Sequence, residues 1–242
     1  MNAALSLNDI LVRPDVWRGR LAGAEAPALS SGFPALDAEL PGGGWPRGAL
    51  SELLVDGAGF GECSLLLPVL NAVRGEGRWL VLIAPPRVVH APAWMAGGAD
   101  GARLAVVASE SPRDLLWAAE QTLASGAAGA VVCWAEHAAP AQVRRLQVAA
   151  GGGCAPAFLF RPRRARAETS AAPLRLFLSP GRQGTLEVNV LKRRGPPCDR
   201  TIFLEVPRPS AWRNDHDAHD NRVDRPAPAA ASPRGPHPFA VA

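Results

Sequence analysis

Short apolar runs alternate along this chain with stretches in which apolar residues recur every three or four positions, and glycine or proline separates most of them. Ala49 to Val55 (ALSELLV), Arg78 to Ala84 (RWLVLIA), Ala102 to Ala108, Ala127 to Trp134 and Cys154 to Phe160 have the length of strands. The most continuous of them suit burial on both faces, as in a parallel sheet. Between them the period becomes helical in Ser64 to Val73, Pro92 to Gly97, the segment from Ser111 to Gly126, and Ala139 to Ala150. Ser111 is placed to cap its helix, Pro112 fits the first turn, and Leu115, Leu116, Ala119 and Leu123 line one face. In the last helix Val143, Leu146 and Ala150 share a face while Arg144 and Arg145 turn away. Pro68 predicts a kink or a shortened helix. Leu36 and Leu40 share one side of a short turn that Pro41 and Gly42-Gly43-Gly44 end. Leu174 to Leu178, Leu186 to Leu191 and Thr201 to Val206 alternate as three further strands, joined by Gly181 to Gly184 and Gly195-Pro196-Pro197. An α/β fold with an antiparallel addition at one edge of a parallel sheet follows.

This core occupies residues 30–206 of the 242. Before it, in 1–29, Leu5 to Val12 reads as a short amphipathic helix ended by Pro14, followed by Trp17, Arg18 and a small-residue linker. Beyond it, in 207–242, apolar periodicity stops and Pro, Ala, Arg and Asp dominate, the composition of a largely disordered tail. Trp212 and Phe239 are its candidate anchors. Asp215-His216-Asp217-Ala218-His219-Asp220 has metal-ligand residue types, but closing a site there costs ordering entropy, so no metal site is assigned.

The candidate chemistry sits after the first long strand, where a glycine-rich turn, Asp56 to Gly61, leads into a helix. Strand, glycine turn and helix are the layout of a phosphate-binding loop, which requires Gly-x-x-x-x-Gly-Lys-Ser/Thr. Registered on Gly61, that pattern places Asp56 at the first glycine, Glu62 at the lysine and Cys63 at the hydroxyl, with Gly57 inside the turn. Glu62 puts negative charge where phosphate oxygens would lie, and a thiol is a poor Mg²⁺ ligand. The single lysine of the chain, Lys192, is far downstream. No cofactor is therefore expected; the glycines keep the turn, and Glu62 is free to act as a helix N-terminal charge.

Ser31-Gly32, Leu36-Asp37, Gly42-Gly43-Gly44 and Pro46-Arg47-Gly48 together resemble the segment that leads into a RecA-type ATPase core. More narrowly, the run from Gly59 to Pro68 (GFGECSLLLP) resembles the ImuA family of RecA-like proteins associated with translesion DNA synthesis. The resemblance implies a RecA-like P-loop core: a mostly parallel central sheet flanked by helices, with antiparallel strands at the C-terminal edge. It also implies further losses. The strand ending at Ala84 lacks the water-activating carboxylate, and the strand ending at Cys133-Trp134 lacks the metal-orienting aspartate, Glu136 lying beyond it. No catalytic residue, no metal and no enzymatic activity are expected. The implied function is that of an accessory protein in SOS-induced error-prone synthesis. The implied partners are an ImuB-like Y-family polymerase homologue, RecA and, through them, an error-prone C-family DNA polymerase. A SulA-like cell-division inhibitor and a divergent DNA-dependent ATPase are the alternatives.

The formal charge of +4, carried almost wholly by arginine, permits contact with nucleic acid or an acidic protein without requiring it. Arg161, Arg163, Arg164 and Arg166 form a basic loop after the Cys154 to Phe160 strand, where the resemblance implies a DNA-binding loop. Arginine–phosphate contacts there would be salt-sensitive, but the loop has no aromatic residue to stack on bases. A solvated loop and a DNA or partner contact both fit it. Lys192, Arg193 and Arg194 form either a second basic patch or the ordinary cap of an exposed strand. Before the core, the resemblance implies a docking role for Trp17 and Arg18, with packing of their segment on the chain's own core as the alternative. Cys63, Cys133, Cys154 and Cys198 contain no C-x-x-C pair, so neither zinc nor a disulfide framework is expected. No apolar run approaches the ~20 residues of a membrane span, and the N-terminus lacks the features of a secretory signal, so a cytoplasmic location without membrane contact is expected.

Overall fold

The described residues begin with a small antiparallel pair, β1 (Ala28–Leu29) and β2 (Trp45–Pro46), that brackets a one-turn helix, α1 (Pro34–Asp37). The computed structural model describes residues 28–96, 100–109 and 111–207, within the first of the two units into which the chain divides, Met1–Arg208. The expected N-terminal helix, Trp17, Arg18 and the tail from 208 onward lie outside the described residues. Asp37 explains the first half of the Ser-Gly…Leu-Asp pattern, because its carboxylate accepts from the Ser31 backbone N–H at 2.7 Å and the Ser30 hydroxyl at 2.6 Å. Gly32 has φ +81°, and a Cβ there would stand 2.5 Å from Cβ of Pro68, so only glycine lets this turn lie against Pro68.

The main sheet is built from β3 (Leu50–Val55), β4 (Trp79–Ile83), β5 (Leu104–Val107), β6 (Ala128–Trp134), β7 (Ala157–Pro162), β8 (Leu174–Pro180), β9 (Leu186–Lys192) and β10 (Thr201–Leu204). Their order is β10-β9-β8-β3-β7-β6-β4-β5. Pairing is parallel from β8 through β5 and antiparallel at β8–β9 and β9–β10. The architecture is thus mixed α/β, with a mostly parallel sheet and an antiparallel edge. One detail differs from expectation. Of the three C-terminal strands, β8 is a turning point, parallel to β3 on one side and antiparallel to β9 on the other.

Helices α2 (Leu67–Arg74), α3 (Ala91–Ala96), α4 (Pro112–Ala124) and α5 (Pro140–Gly151) connect the strands. Pro68 does not kink α2. A 3₁₀ turn at Ser64–Leu66 precedes the helix, and Pro68 sits in its first turn, where the missing N–H costs nothing. Leu65, Leu66, Val69, Leu70 and Val73 pack on one face of the sheet with Leu53, Phe158, Phe160 and Leu176. On the other face Leu116, Ala119 and Leu123 of α4 and Val143, Leu146 and Ala150 of α5 cover Leu50, Val131, Cys133 and Leu159. Ser111 caps α4 by accepting from the Asp114 N–H, and Arg145, turned away from the core as its position predicts, pairs with Glu120 on α4 at 2.8 Å.

The largest correction concerns β7. The basic residues after Phe160 were expected to form a loop, yet the strand continues through Arg161 and Pro162, opposite Leu54 and Val55 of β3. The reason is electrostatic. Glu52, in the middle of β3 and fully buried, accepts from Arg161 Nη1 at 2.9 Å and from Arg175 Nε on β8 at 2.5 Å. Arg161 also donates to the carbonyl of Ala138 and to Glu168, and Arg175 to the carbonyls of Ala165 and Glu168. The network pins the 3₁₀ turn Arg163–Ala167 across the sheet, where Ala165 packs on Leu54 and Phe177. Glu52→Ala strands two buried guanidiniums and is expected to lower unfolding free energy by about 3–5 kcal/mol. Arg163→Ala, which breaks an exposed pair with Asp56 and a contact over the Phe177 ring, is expected to cost no more than about 2 kcal/mol. Urea titrations of the two variants measure the contrast.

Candidate functional site

The glycine turn after β3 is held open by backbone geometry, since Gly57, Gly59 and Gly61 all have positive φ. At Gly61 a side chain is excluded twice over: φ is +105°, and a Cβ would stand 2.6 Å from Cγ2 of Val206. Into the turn folds the carboxylate of Glu62. It accepts from the Gly59 N–H at 2.9 and 3.0 Å and from the Phe60 N–H at 3.0 Å, and Glu62 is only 6 % exposed. Glu62 is thus not chiefly the helix-terminal charge that sequence suggests; it supplies an internal anion to the N–H groups of its own loop. Cys63 follows, its thiol pushed up to about 12 by burial first and by the Glu62 carboxylate second. A thiol so reluctant to ionise offers nothing to a hard cation. Asp56, at the mouth of the turn, pairs with Arg163 at 2.9 Å.

The other strand ends lie around this turn. Ala84, after β4, has φ +53°, an uncommon conformation for a residue with a side chain. Trp134, ending β6, stacks on Phe160 of β7 with ring centroids 5.2 Å apart and planes 8° from parallel. Glu136 lies beyond the strand, exposed, and pairs with Arg164 at 2.9 Å. Among the described residues no cluster of three His, Cys, Asp or Glu side chains could hold a metal ion. A crevice of about 500 Å³ lies between these strand ends and the first turn of α4.

The basic residues separate into different roles. Arg161 is 3 % exposed and committed to Glu52 and Glu168, so it is removed from the set of surface contacts. Arg163 and Arg164 are exposed but carry carboxylate partners, and Arg163 and Arg166 lie over the Phe177 ring at 5.5 and 5.8 Å. The aromatic residue that the basic segment lacks in sequence is therefore supplied by β8, although at 8 % exposure it cannot stack a base. Lys192 donates to the Ser170 carbonyl, which brings it beside the connection carrying the arginines. Arg193 is a second correction: half-buried, it is held by Glu39 and by the carbonyls of Glu39 and Pro196. Arg194 is exposed. Sequence reasoning missed Glu52 and Arg175; a charge within each of two otherwise apolar strands was the available signal.

Two measurements follow. Glu62→Lys removes the acceptor and adds a cation beside the loop N–H groups, so it is expected to lower stability by about 1–3 kcal/mol, more than Glu62→Gln, in thermal melts. Burial also pushes the Cys133 thiol from 9.0 up to about 12. The unfolded chain then loses that proton first, so stability is full below pH 9.0 and falls as pH rises toward 12. Urea midpoints at pH 8 and pH 10.5 are expected to differ less in Cys63→Ala/Cys133→Ala than in the parent chain.

No family model matches the chain. It is 31 % identical over 233 residues to Protein ImuA of Caulobacter vibrioides, covering 88 % of each chain. It is 28 % identical over 133 residues to the cell division inhibitor SulA of Pectobacterium carotovorum, covering 54 % of this chain and 77 % of that one. Among solved structures, SulA from Pseudomonas aeruginosa aligns with 47 % of this chain and 97 % of its own, at 28 % identity and a TM-score of 0.40.

Proposed function

This chain belongs to the ImuA family, and from that premise we propose that it is a non-catalytic, RecA-like accessory protein of SOS-induced error-prone translesion DNA synthesis. The observation that carries the proposal is the Glu62 carboxylate, which takes the N–H groups of Gly59 and Phe60 that a phosphate would need. A triphosphate entering this loop would displace a satisfied internal anion, with no lysine to neutralise it. The absence of carboxylates at Ala84 and Trp134 supports the same conclusion, because a bound nucleotide would meet neither a general base nor a metal-orienting group.

The protein then works by contact. Its partners in this reading are an ImuB-like Y-family polymerase homologue and RecA, with an error-prone C-family polymerase reached through them, in the cytoplasm. Among the described residues no helix is long and apolar enough to cross a membrane. The described surface best suited to such contacts is the turn bearing Arg163, Arg164 and Arg166, together with Arg194, since Arg161 and Arg193 are internally committed. The SulA relatives favour a second reading, a cell-division inhibitor that uses the same fold without chemistry.

Calorimetric titration of the full chain with Mg·ATP is expected to give no measurable heat of binding, and tight Mg²⁺-dependent binding would remove the non-catalytic assignment. Purified chain is expected to co-elute with the ImuB-like protein, and Arg166→Ala/Arg194→Ala to weaken that complex while the variant still melts in a single cooperative transition. Overproduction that makes cells filamentous without raising mutagenesis would select the SulA-like reading instead.

A further inference from the structure

We infer that two copies of this chain join through the open edge of the main sheet, β5 pairing antiparallel with β5 of a second copy about a two-fold axis at Val106. β5 ends the strand order, bound by β4 on one side and by no described strand on the other. Its sequence, Leu-Ala-Val-Val followed by Ala108, holds no charge and no proline, the devices that ordinarily protect an edge from pairing. The opposite edge is treated differently. There β10 lies beside α1, and Arg200, just before the strand, pairs with Glu39, just after that helix.

The direction of the backbone groups follows from one hydrogen bond. The Val107 carbonyl accepts from the Ala84 N–H at 2.8 Å, so Val107 and Ala105 turn their backbone groups toward β4. Leu104, Val106 and Ala108 therefore present theirs to the open edge, where a further strand can pair with them. The side chains are covered on one side only. Leu104 packs against the core that α2 covers, Ala105 and Val107 against the core that α4 covers, and Val106 is 47 % exposed. Apolar surface continues beyond the strand to Met95, which is 52 % exposed and lies so close to Gly101 that a Cβ there would stand 2.9 Å from its Sδ.

The occupant is a second copy because the strand is complementary to itself. With the axis at Val106, that residue faces Val106 of the second copy and the two exchange both backbone hydrogen bonds. Leu104 then falls opposite Ala108, and Ala105 opposite Val107, so a larger side chain meets a smaller one on each side of a central β-branched pair. Arg103, the charge adjoining β5, falls opposite Ser109 rather than its own counterpart. Moving the axis one residue either way would set Val107 against Arg103 or Ala105 against Ser109. The contact uses the same patch on both copies, so it closes at two. It goes beyond the partner assignment above, because it needs only this chain.

Sedimentation equilibrium of the full chain over a range of concentrations is expected to show monomer and dimer with no larger species. Val106→Lys sets lysine opposite lysine and is expected to raise the dimer dissociation constant at least about tenfold. Phe203→Lys, the same kind of change at an exposed residue of the other edge strand, is expected to leave it as it was. Covalent trapping tests the register. Residues facing each other in a hydrogen-bonded antiparallel pair have Cα atoms about 5.5 Å apart, within the span of a disulfide. In a Cys154→Ala/Cys198→Ala background, Val106→Cys is therefore expected to give a covalent dimer on mild oxidation, and Val148→Cys, exposed on α5, is not. Circular dichroism reports whether each variant is folded, and Val106→Cys carries the test if Val106→Lys is not. A chain that stays monomeric up to its solubility limit overturns the inference, as does a dimer that a folded Val106→Lys leaves unchanged, or equal trapping at positions 106 and 148.

Discussion

The fully buried carboxylate of Glu52 is the constraint on which the sheet depends. It sits at the centre of β3 with β7 on one side and β8 on the other, and a guanidinium from each of those strands closes on it. Taking three charges out of water is unfavourable by itself, and the arrangement survives because nearly every lone pair and proton is used. Removing any one member would leave the others uncompensated. The connection from β7 to β8 must cross β3 to reach its place, and Arg175 holds that crossing by donating to the carbonyls of Ala165 and Glu168. Ion pairing thus performs on this part of the sheet the covering role that α4 and α5 perform by apolar contact elsewhere.

The same physical solution recurs in the glycine turn. A loop of N–H groups pointing inward creates positive potential that some anion must satisfy. Here the anion is Glu62, two residues from the nearest group it serves. The chain thus fills this cradle with its own side chain and keeps the turn that sends β3 into α2. A loop of inward-pointing N–H groups is in this way compatible with a well-packed core, and its glycines supply the positive φ angles that the turn requires.

Strands and helices were legible where one force acted alone. The apolar runs ending at Ala84 and Trp134 gave buried parallel strands, and Ser111 with Pro112 marked the start of α4. The reading failed where two forces competed. Arg161 looked like the start of a loop because it opens a run of four closely spaced arginines, and it lies in a buried strand because Glu52, 109 residues away, neutralises it. Arg193 looked like part of a basic surface, but Glu39, 154 residues away, had already claimed it. Charge neutralisation is non-local, so a single pass along the chain sees each charge without its partner. The candidate loop was legible as a departure from a pattern; the acceptor that serves its N–H groups was not, since the direction of the Glu62 side chain depends on the loop's three-dimensional path.

These internal commitments also limit how the protein can act. Arg161 and Arg193 are spent on the fold, and Arg163 and Arg164 carry carboxylate partners at the surface, where each pair contributes little and is readily exchanged. A partner bearing phosphates or carboxylates could take over those arginines at small cost, because Asp56 and Glu136 would return to water while the buried Glu52 network stayed intact. The network therefore does more than stabilise the sheet. It holds the Arg163–Ala167 turn in one arrangement, so that a molecule binding at this face would not first have to order a loop.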